Sequence, residues 1–384
     1  MPTTAVGSAQ DDLSALKARL ASRALELGAV ELRVTAARVD DEARARMRAS
    51  FARGDLETWG YGDRYADAAT DPSALLNDAR RVVCIAVPYR TAPPPRQPPL
   101  SGRVSNYAWS RDYHHRVRAL LEELVGILNA HAGSAVARAV CDTAPLAERA
   151  HAARAGLGWV GKHTNLISPA GGSYVFLGEV VTSLDLPVDA PLRKTCGSCT
   201  RCVSGCPTGA LRGDYTIDAR RCIADLTQRT DQIPRELRPY LGDWVWGCDI
   251  CQIVCPPNEQ AAAGGSADFA AVDEALAAPD LVALLQLKSG EFKRRYKPTA
   301  MGWRGAAVLR RNAAIALGNR LDRGAVPPLL AALQGDPHPM VREACAWALG
   351  RIASPQAISG LRASAETEEE TSVREEIDAA LEHV

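Results

Sequence analysis

The chain has 384 residues, 47% of them hydrophobic, with 45 basic and 45 acidic side chains. That length requires two or three domains and provides ample core, and a formal charge of zero rules out a uniformly basic protein while allowing local basic patches. No apolar stretch approaches a bilayer span, and the amino terminus lacks a basic stretch followed by an apolar one, so a cytoplasmic protein without membrane attachment is expected.

After a disordered lead, the pattern predicts a helix over 11–27, capped near Asp11 or Ser14, a strand over 29–35 and a helix over 41–52. A buried strand follows at 82–87, within the short β-branched run VVCIAVPY. The proline-rich TAPPPRQPPL at 91–100 reads as a lid or surface excursion. A helix over 113–131, a strand over 135–140, a helix over 145–155 and a strand over 173–183 complete an α/β region. Between the last two lies GLGWVGKHT at 156–164, which contains GxGxxG and nearly matches the phosphate-cradling GxxxxGK[ST]. His163 stands where that loop needs a hydroxyl for magnesium, and a helix-like stretch precedes the glycines instead of a strand, so a nucleotide site is set aside. The glycines are expected to let the backbone approach something bulky.

Eight cysteines then crowd the middle of the chain. CGSCTRCVSGCP places Cys196, Cys199, Cys202 and Cys206 at the spacing of a bacterial [4Fe–4S] run, and Cys222 with GCDICQIVCPP adds Cys248, Cys251 and Cys255. Because the fourth cysteine of such a run ligates the other cluster, Cys196, Cys199, Cys202 and Cys255 are assigned to one cluster, and Cys206, Cys222, Cys248 and Cys251 to the second. An insertion of helical length, 223–247, must loop out between the ligands. Two CxxxCP repeats fit structural zinc poorly, and a chain this long without a signal peptide does not need disulfide staples. Cys84, Cys141 and Cys345 read as core residues.

The expected architecture is an α/β domain over 1–186, a ferredoxin-like two-cluster domain over 187–260 and, after the linker AAAGGSA, α-helical HEAT-like repeats over 268–384. VLRRNAAIALGNR recurs as MVREACAWALGRI and more weakly as SVREEIDAALEHV, with Leu317, Leu349 and Leu381 at a constant interval. The repeats either cap the rest of the chain or offer a large partner a surface. Lys293, Arg294, Arg295, Lys297, Arg304, Arg310, Arg311, Arg320 and Arg323 gather there, and such charge on a concave helical face would suit a phosphate backbone.

VCDTAPLAERAHAARAGLGWVGKHTNLI, the SRDYHH stretch around Asp112, GSYVFLGEVV and the two cysteine runs together resemble the epoxyqueuosine reductases of bacterial tRNA modification, over nearly the whole chain. The resemblance implies a cobalamin-binding domain related to reductive dehalogenases, two [4Fe–4S] clusters and a helical-repeat domain. It implies reduction of epoxyqueuosine to queuosine at the wobble position of a tRNA with a GUN anticodon, by a monomer fed from an external electron donor. On the same ground Asp142, in CDTAP, is the proton donor, and burial against the corrin face would raise its pKa; the local alternative is that Asp142 caps the helix after Pro145. Arg64, Ser105, Tyr107, Lys162, His163, Asn165 and Leu166 are candidates to line the cobalamin, as is Asp142, with Gln228 and Gln252 facing it from near the clusters. CPPN at Cys255 replaces a more familiar CPWN, and WGYGDRYADAAT at 59–70 matches the family loosely. Two rival readings are another cobalamin and iron–sulfur reductase of the reductive dehalogenase kind and a non-enzymatic electron-transfer protein.

Overall fold

The computed structural model describes residues 4–93, 99–261 and 267–382, so the middle of the proline-rich stretch and most of AAAGGSA lie outside the described residues. The chain forms two compact units. One contains Met1–Thr91, Tyr113–Arg220 and Ile250–Ala270; the other contains Ala92–Asp112, Arg221–Asp249 and Ala271–Val384. The segment expected as a separate cluster domain, 187–260, is thus divided between the units.

The first unit opens with α1 (Thr4–Glu26), which begins earlier than expected, followed by β1 (Glu31–Ala36), α2 (Asp41–Ala52), α3 (Asp63–Thr70), β2 (Arg81–Pro88) and α4 (Tyr113–Ala132). Then come β3 (Ala137–Val140), α5 (Glu148–Arg154) and β4 (Val175–Thr182). The strands form one sheet in the order β1-β2-β4-β3, and every pairing is antiparallel. Alternation along a strand sends neighbours to opposite faces. On β4, Gly178 faces α4, where an added Cβ would lie 3.0 Å from Val117, while Leu177 and Val181 join Val82, Cys84, Ala86, Val140 and Ala152 of α5 in the other core. The buried positions of α4, namely Val117, Leu120, Leu121, Leu124 and Leu128, recur at three- and four-residue spacing, which is why this stretch is a helix with one dry face.

The second unit carries the repeats as α6 (Ala306–Arg320), α7 (Val326–Gly335), α8 (Pro339–Ile352), α9 (Pro355–Thr367) and α10 (Thr371–Glu382). Helix α6 packs on α8 and α8 on α10. Glycines make these crossings close: a Cβ on Gly318 would lie 2.8 Å from Ala348, and one on Gly350 would lie 2.7 Å from Ala380. The 223–247 insertion is not one helix. It forms a short helix, Ile223–Leu226, a 3-10 turn, Arg238–Leu241, and a strand, Trp244–Trp246, because Pro234, Pro239 and Gly242 interrupt it.

That insertion is gripped by the first repeat helix. Asn312 donates to the carbonyls of Thr227 (2.7 Å) and Val245 (2.8 Å), Asn319 donates to those of Arg238 and Gly242 (both 2.9 Å), and Arg311 donates to those of Leu226 (3.1 Å), Arg229 (3.0 Å) and Asp231 (2.6 Å). The expected basic face is therefore corrected in part. Arg311 is fully buried, Arg310 is buried against Asp336 at 2.6 Å, Arg295 pairs with Asp273 and Glu291, and Arg320 pairs with Asp243. Lys293, Arg294, Lys297 and Arg323 are exposed, and Arg304 lies 3.7 Å over the ring of Trp303, which is 50% exposed.

Candidate functional site

Asp142 follows the end of β3, an edge strand of an antiparallel sheet, so the rule that sites gather at strand ends of parallel sheets does not account for its position. Its backbone takes a left-handed conformation, φ 53°, which an aspartate tolerates better than most side chains. Its N–H donates to Glu148 Oε1 at 2.6 Å, and its Oδ2 accepts from the Tyr113 hydroxyl at 2.9 Å, with His114 Nε2 at 3.7 Å. Asp142 does not cap α5: the N-cap is Ala147, and the side-chain-to-backbone bond runs the other way, from Asp142 N–H to Glu148. Its side chain is 64% exposed, so the protein alone does not supply the burial that the sequence reading invoked.

This carboxylate lies on the wall of a cleft of about 1120 Å³, larger than most small-molecule pockets. Tyr61, Tyr65, Tyr113 and Phe176 supply aromatic lining, and Asp142, Glu148 and Asn165 supply polar groups. Tyr113 stacks on Phe176 with ring centroids 4.1 Å apart, which holds its hydroxyl toward Asp142. Tyr61 stacks on Tyr65 at 4.2 Å.

The GLGWVGKHT stretch is a hairpin, Trp159–Val160 against Leu166–Ile167, and not a strand running into a helix, which bears out the rejection of a phosphate loop. Its glycines serve the chain's own packing: a Cβ on Gly156 would lie 2.2 Å from the Ala190 carbonyl oxygen, and one on Gly158 would lie 2.4 Å from that of Ile167. The expectation that they admit something bulky is corrected. Lys162 Nζ donates to the carbonyl of Gly197, between two cluster cysteines, at 2.9 Å. His163 is buried, accepts at Nδ1 from the Asn165 N–H at 3.2 Å, and is held neutral by a pKa pushed down by burial to about 4. That leaves the proton on Nε2, which has no partner among the described residues.

The other candidates are dispersed. Leu166 belongs to the core beside Leu157, and Arg64 is exposed on α3 between the two cleft tyrosines. Gln252 is buried, accepting at Oε1 from the Ser173 hydroxyl at 2.9 Å, while Asn258 bridges Ser173 and the Gln252 carbonyl; Asn258 is the last residue of CPPN. In the second unit, Ser105 donates to Asp249 at 2.6 Å, the Tyr107 hydroxyl accepts from Trp246 Nε1 at 2.9 Å, and the Gln228 side chain folds back onto the Ala224 carbonyl at 2.8 Å.

Four of the candidate thiols lie near one another within the first unit. Burial first, then the charges of Cys202, Cys196 and Cys199, push the Cys255 thiol up to about 11, so these four lie within electrostatic reach of one another. Four such thiols become stable thiolates only when a cationic centre balances them, which an iron–sulfur cluster does. Cys199 N–H donates to the Cys196 carbonyl at 3.1 Å across Gly197, whose φ of 52° closes the turn. Of the other four candidates, Cys206 and Cys251 belong to the first unit and Cys222 and Cys248 to the second. Cys84 and Cys345 are core residues, as expected, and Cys141 is buried at the end of β3. Cys255→Ser is expected to remove about half of the bound iron while Cys345→Ser removes none, read by iron analysis and cluster absorbance.

Sequence reading passed over Tyr113, Phe176, Glu148 and Glu179. The last had a visible signal, a lone carboxylate inside the apolar strand GSYVFLGEVV.

Three family descriptions match the chain: "4Fe-4S double cluster binding domain" over 195–258, "Epoxyqueuosine reductase QueG, DUF1730" over 70–143 and "HEAT repeats" over 305–382. An epoxyqueuosine reductase of Bacillus subtilis is 33% identical over 96% of this chain and 95% of its own length, and one of Escherichia coli is 34% identical over 88% and 90%. A crystal structure of epoxyqueuosine reductase with an epoxyqueuosine-modified tRNA-Tyr stem loop matches at TM-score 0.90 and 33% identity, covering 97% of this chain and 99% of that one. A Bacillus subtilis structure with its catalytic aspartate loop swung out of the active site also matches at 0.90, covering 97% and 100% at 32% identity.

Proposed function

The chain belongs to the epoxyqueuosine reductase family, and from that premise we propose that it reduces epoxyqueuosine to queuosine at the wobble position of tRNA, with Asp142 as the proton donor. The observation that carries this reading is the placement of Asp142: a carboxylate in a left-handed turn, oriented by Tyr113 and presented on the wall of a large aromatic cleft.

Opening the epoxide and expelling its oxygen as water takes two electrons and two protons. Cobalamin, when bound, supplies two-electron delivery at a carbon centre, and the clusters pass electrons singly. The protein's own part is to hold, orient and protonate. The cleft has the size and aromatic lining for a corrin-sized group, Asn165 lines it, and His163 offers a buried N–H without a partner among the described residues, a donor suited to a cofactor amide or phosphate oxygen. Lys162 links this hairpin to the cysteine run through Gly197. Arg64 has free reach, whereas Ser105, Tyr107, Gln228 and Gln252 already hold internal partners and would meet the cofactor through their remaining atoms, and Leu166 through apolar contact. Tyr113, donating to Oδ2, leaves Oδ1 of Asp142 as the oxygen that carries the transferable proton. Cys196, Cys199, Cys202 and Cys255 hold one cluster, and Cys206, Cys222, Cys248 and Cys251 hold the other.

The substrate is a tRNA with a GUN anticodon, a reading supported by the stem-loop complex of the relative. Exposed Lys293, Arg294, Lys297 and Arg323 on the repeat unit are the basic groups that remain for a phosphate backbone. An external donor feeds the clusters, and the protein works as a cytoplasmic monomer; no described helix is long and apolar enough to cross a membrane.

The test is anaerobic reconstitution with iron, sulfide and cobalamin, then incubation with reductant and tRNA carrying epoxyqueuosine, with nucleosides read by mass spectrometry. Queuosine formed only with cobalamin present is the expected result. Cobalamin binding without conversion would overturn the substrate, and no cobalamin binding would favour an electron-transfer protein.

A further inference from the structure

The electrons for the reduction come from outside the chain, so a reduced carrier must meet the protein at its surface, close to a cluster. The thiols differ in how near the surface they lie. Of the eight candidate ligands, Cys199 is exposed and the other seven are buried or half-buried. Gly197, Ser198, Thr200 and Arg201 around it are exposed as well, so the whole turn stands on the surface of the first unit. Ile223, Gly247, Asp249 and Gln252, next in sequence to Cys222, Cys248 and Cys251, are buried instead. Electron transfer slows steeply with distance, so a carrier does best where a ligand reaches the surface.

The turn is also ringed with positive charge. From Ala190 to Gly213 the chain holds Arg193, Lys194, Arg201 and Arg212 and no acidic residue. Arg212 turns inward to Asp55 at 2.6 Å, whereas Arg193, Lys194 and Arg201 are exposed. Lys194 lies 5.2 Å from the ring centroid of Trp159, and Lys162, in the loop of the same hairpin, donates to the Gly197 carbonyl at 2.9 Å. Arg201 pairs with Glu259 at 3.2 Å, with both side chains more than half exposed. An ion pair so exposed is weak and readily exchanged for another carboxylate. The short helix that Arg201 opens, Arg201–Gly205, packs on Ile250–Ile253, and Ile253, two residues from both Cys251 and Cys255, is 58% exposed.

We infer that the turn over 196–201, with Lys162, Arg193, Lys194 and Arg201 around it and Ile253 beside it, is the docking surface of a small acidic one-electron carrier protein. Electrons then enter through the cluster assigned to Cys196, Cys199, Cys202 and Cys255. The inference rests on the reaction read above only for the use to which the electrons are put. In each encounter the carrier is oxidised by one electron, that cluster is reduced by one, and the carrier leaves. Two encounters supply the two electrons of the epoxide reduction. Contacts of this kind are small and short-lived, and complementary charge sets their rate more than their strength. An RNA backbone would also answer to positive charge, but it has no use for a cluster ligand at the centre of the patch, whereas a redox carrier does.

The test uses the full chain reconstituted with iron and sulfide, and reduced flavodoxin as the acidic carrier, with cluster reduction followed by stopped-flow absorbance. The bimolecular rate should fall as salt rises. Arg193→Glu, Lys194→Glu and Arg201→Glu combined should lower it by about tenfold or more at low salt, the lower end of what charge steering gives. Lys293→Glu with Arg294→Glu, on the repeat unit, should leave it unchanged. Photoreduced deazaflavin, a small reductant that needs no docking, should reduce the clusters of every variant as fast as those of the unchanged chain, which shows the clusters intact. If the triple variant loses iron, Arg193→Glu alone, at an exposed side chain, gives the same comparison with a smaller factor. A flavodoxin rate that is independent of salt, or equal in the variants, overturns the docking surface. So does a loss of tRNA affinity in the triple variant with the flavodoxin rate intact, which would assign the patch to an RNA backbone. None of the rate measurements needs cobalamin or tRNA, so the docking surface and the assigned reaction can fail separately.

Discussion

Asp142→Asn is expected to leave the fold and iron content intact and to cut queuosine formation by at least 100-fold, the ordinary loss when a general acid is removed. The fold should survive because asparagine also accepts the left-handed conformation at φ 53°, because the bond to Glu148 uses the backbone N–H, and because the side chain packs against no core. Asn Oδ1 can still accept from Tyr113, so orientation is preserved and only the transferable proton is lost. Nucleoside mass spectrometry, with melting temperature and iron analysis as controls, checks it. Full activity in the variant would remove Asp142 from the chemistry.

Arg311→Ala is expected to be the most damaging single change in the second unit, lowering stability by about 3–5 kcal/mol, the range for deleting a buried hydrogen-bonded charge. Arg311 is fully buried, its pKa pushed down by burial to about 9, and it donates to three backbone carbonyls of the 223–247 insertion as well as to Asn312. Alanine leaves those carbonyls unpaired in a dry site and empties the volume of a long side chain. Because Cys222 and Cys248 flank the insertion, cluster occupancy should fall with the melting temperature. Thermal unfolding and iron analysis on one preparation check both. An unchanged melting temperature with weakened tRNA binding would instead return Arg311 to the role of a phosphate contact.

That contrast shows where sequence reading failed. An arginine pair beginning a repeat helix looks the same in sequence whether it faces solvent or backbone carbonyls, because charge patterning carries no information about what docks on the helix. Arg310 and Arg311 were read as a basic face, and the insertion that covers Arg311 comes from a segment some eighty residues away. The GLGWVGKHT glycines were misread for the same reason: their neighbours, the Ala190 and Ile167 carbonyls, are brought in by tertiary packing. Elements with strong local periodicity fared better, since α2 falls at the expected residues and α4 and β2 agree to within a residue at each end.

By itself the sequence determined the two-cluster segment and the repeated helices, because cysteine spacing and periodicity are written in residue order. Tertiary structure alone decided that the sheet is antiparallel, that the cysteine segment is shared between two compact units, that the first repeat helix grips the insertion, and that Glu148 and Glu179 stand together behind Asp142. Those two glutamates are 31 positions apart (179 − 148), one opening a helix and one inside a strand, and residue order does not show that α5 packs on that strand.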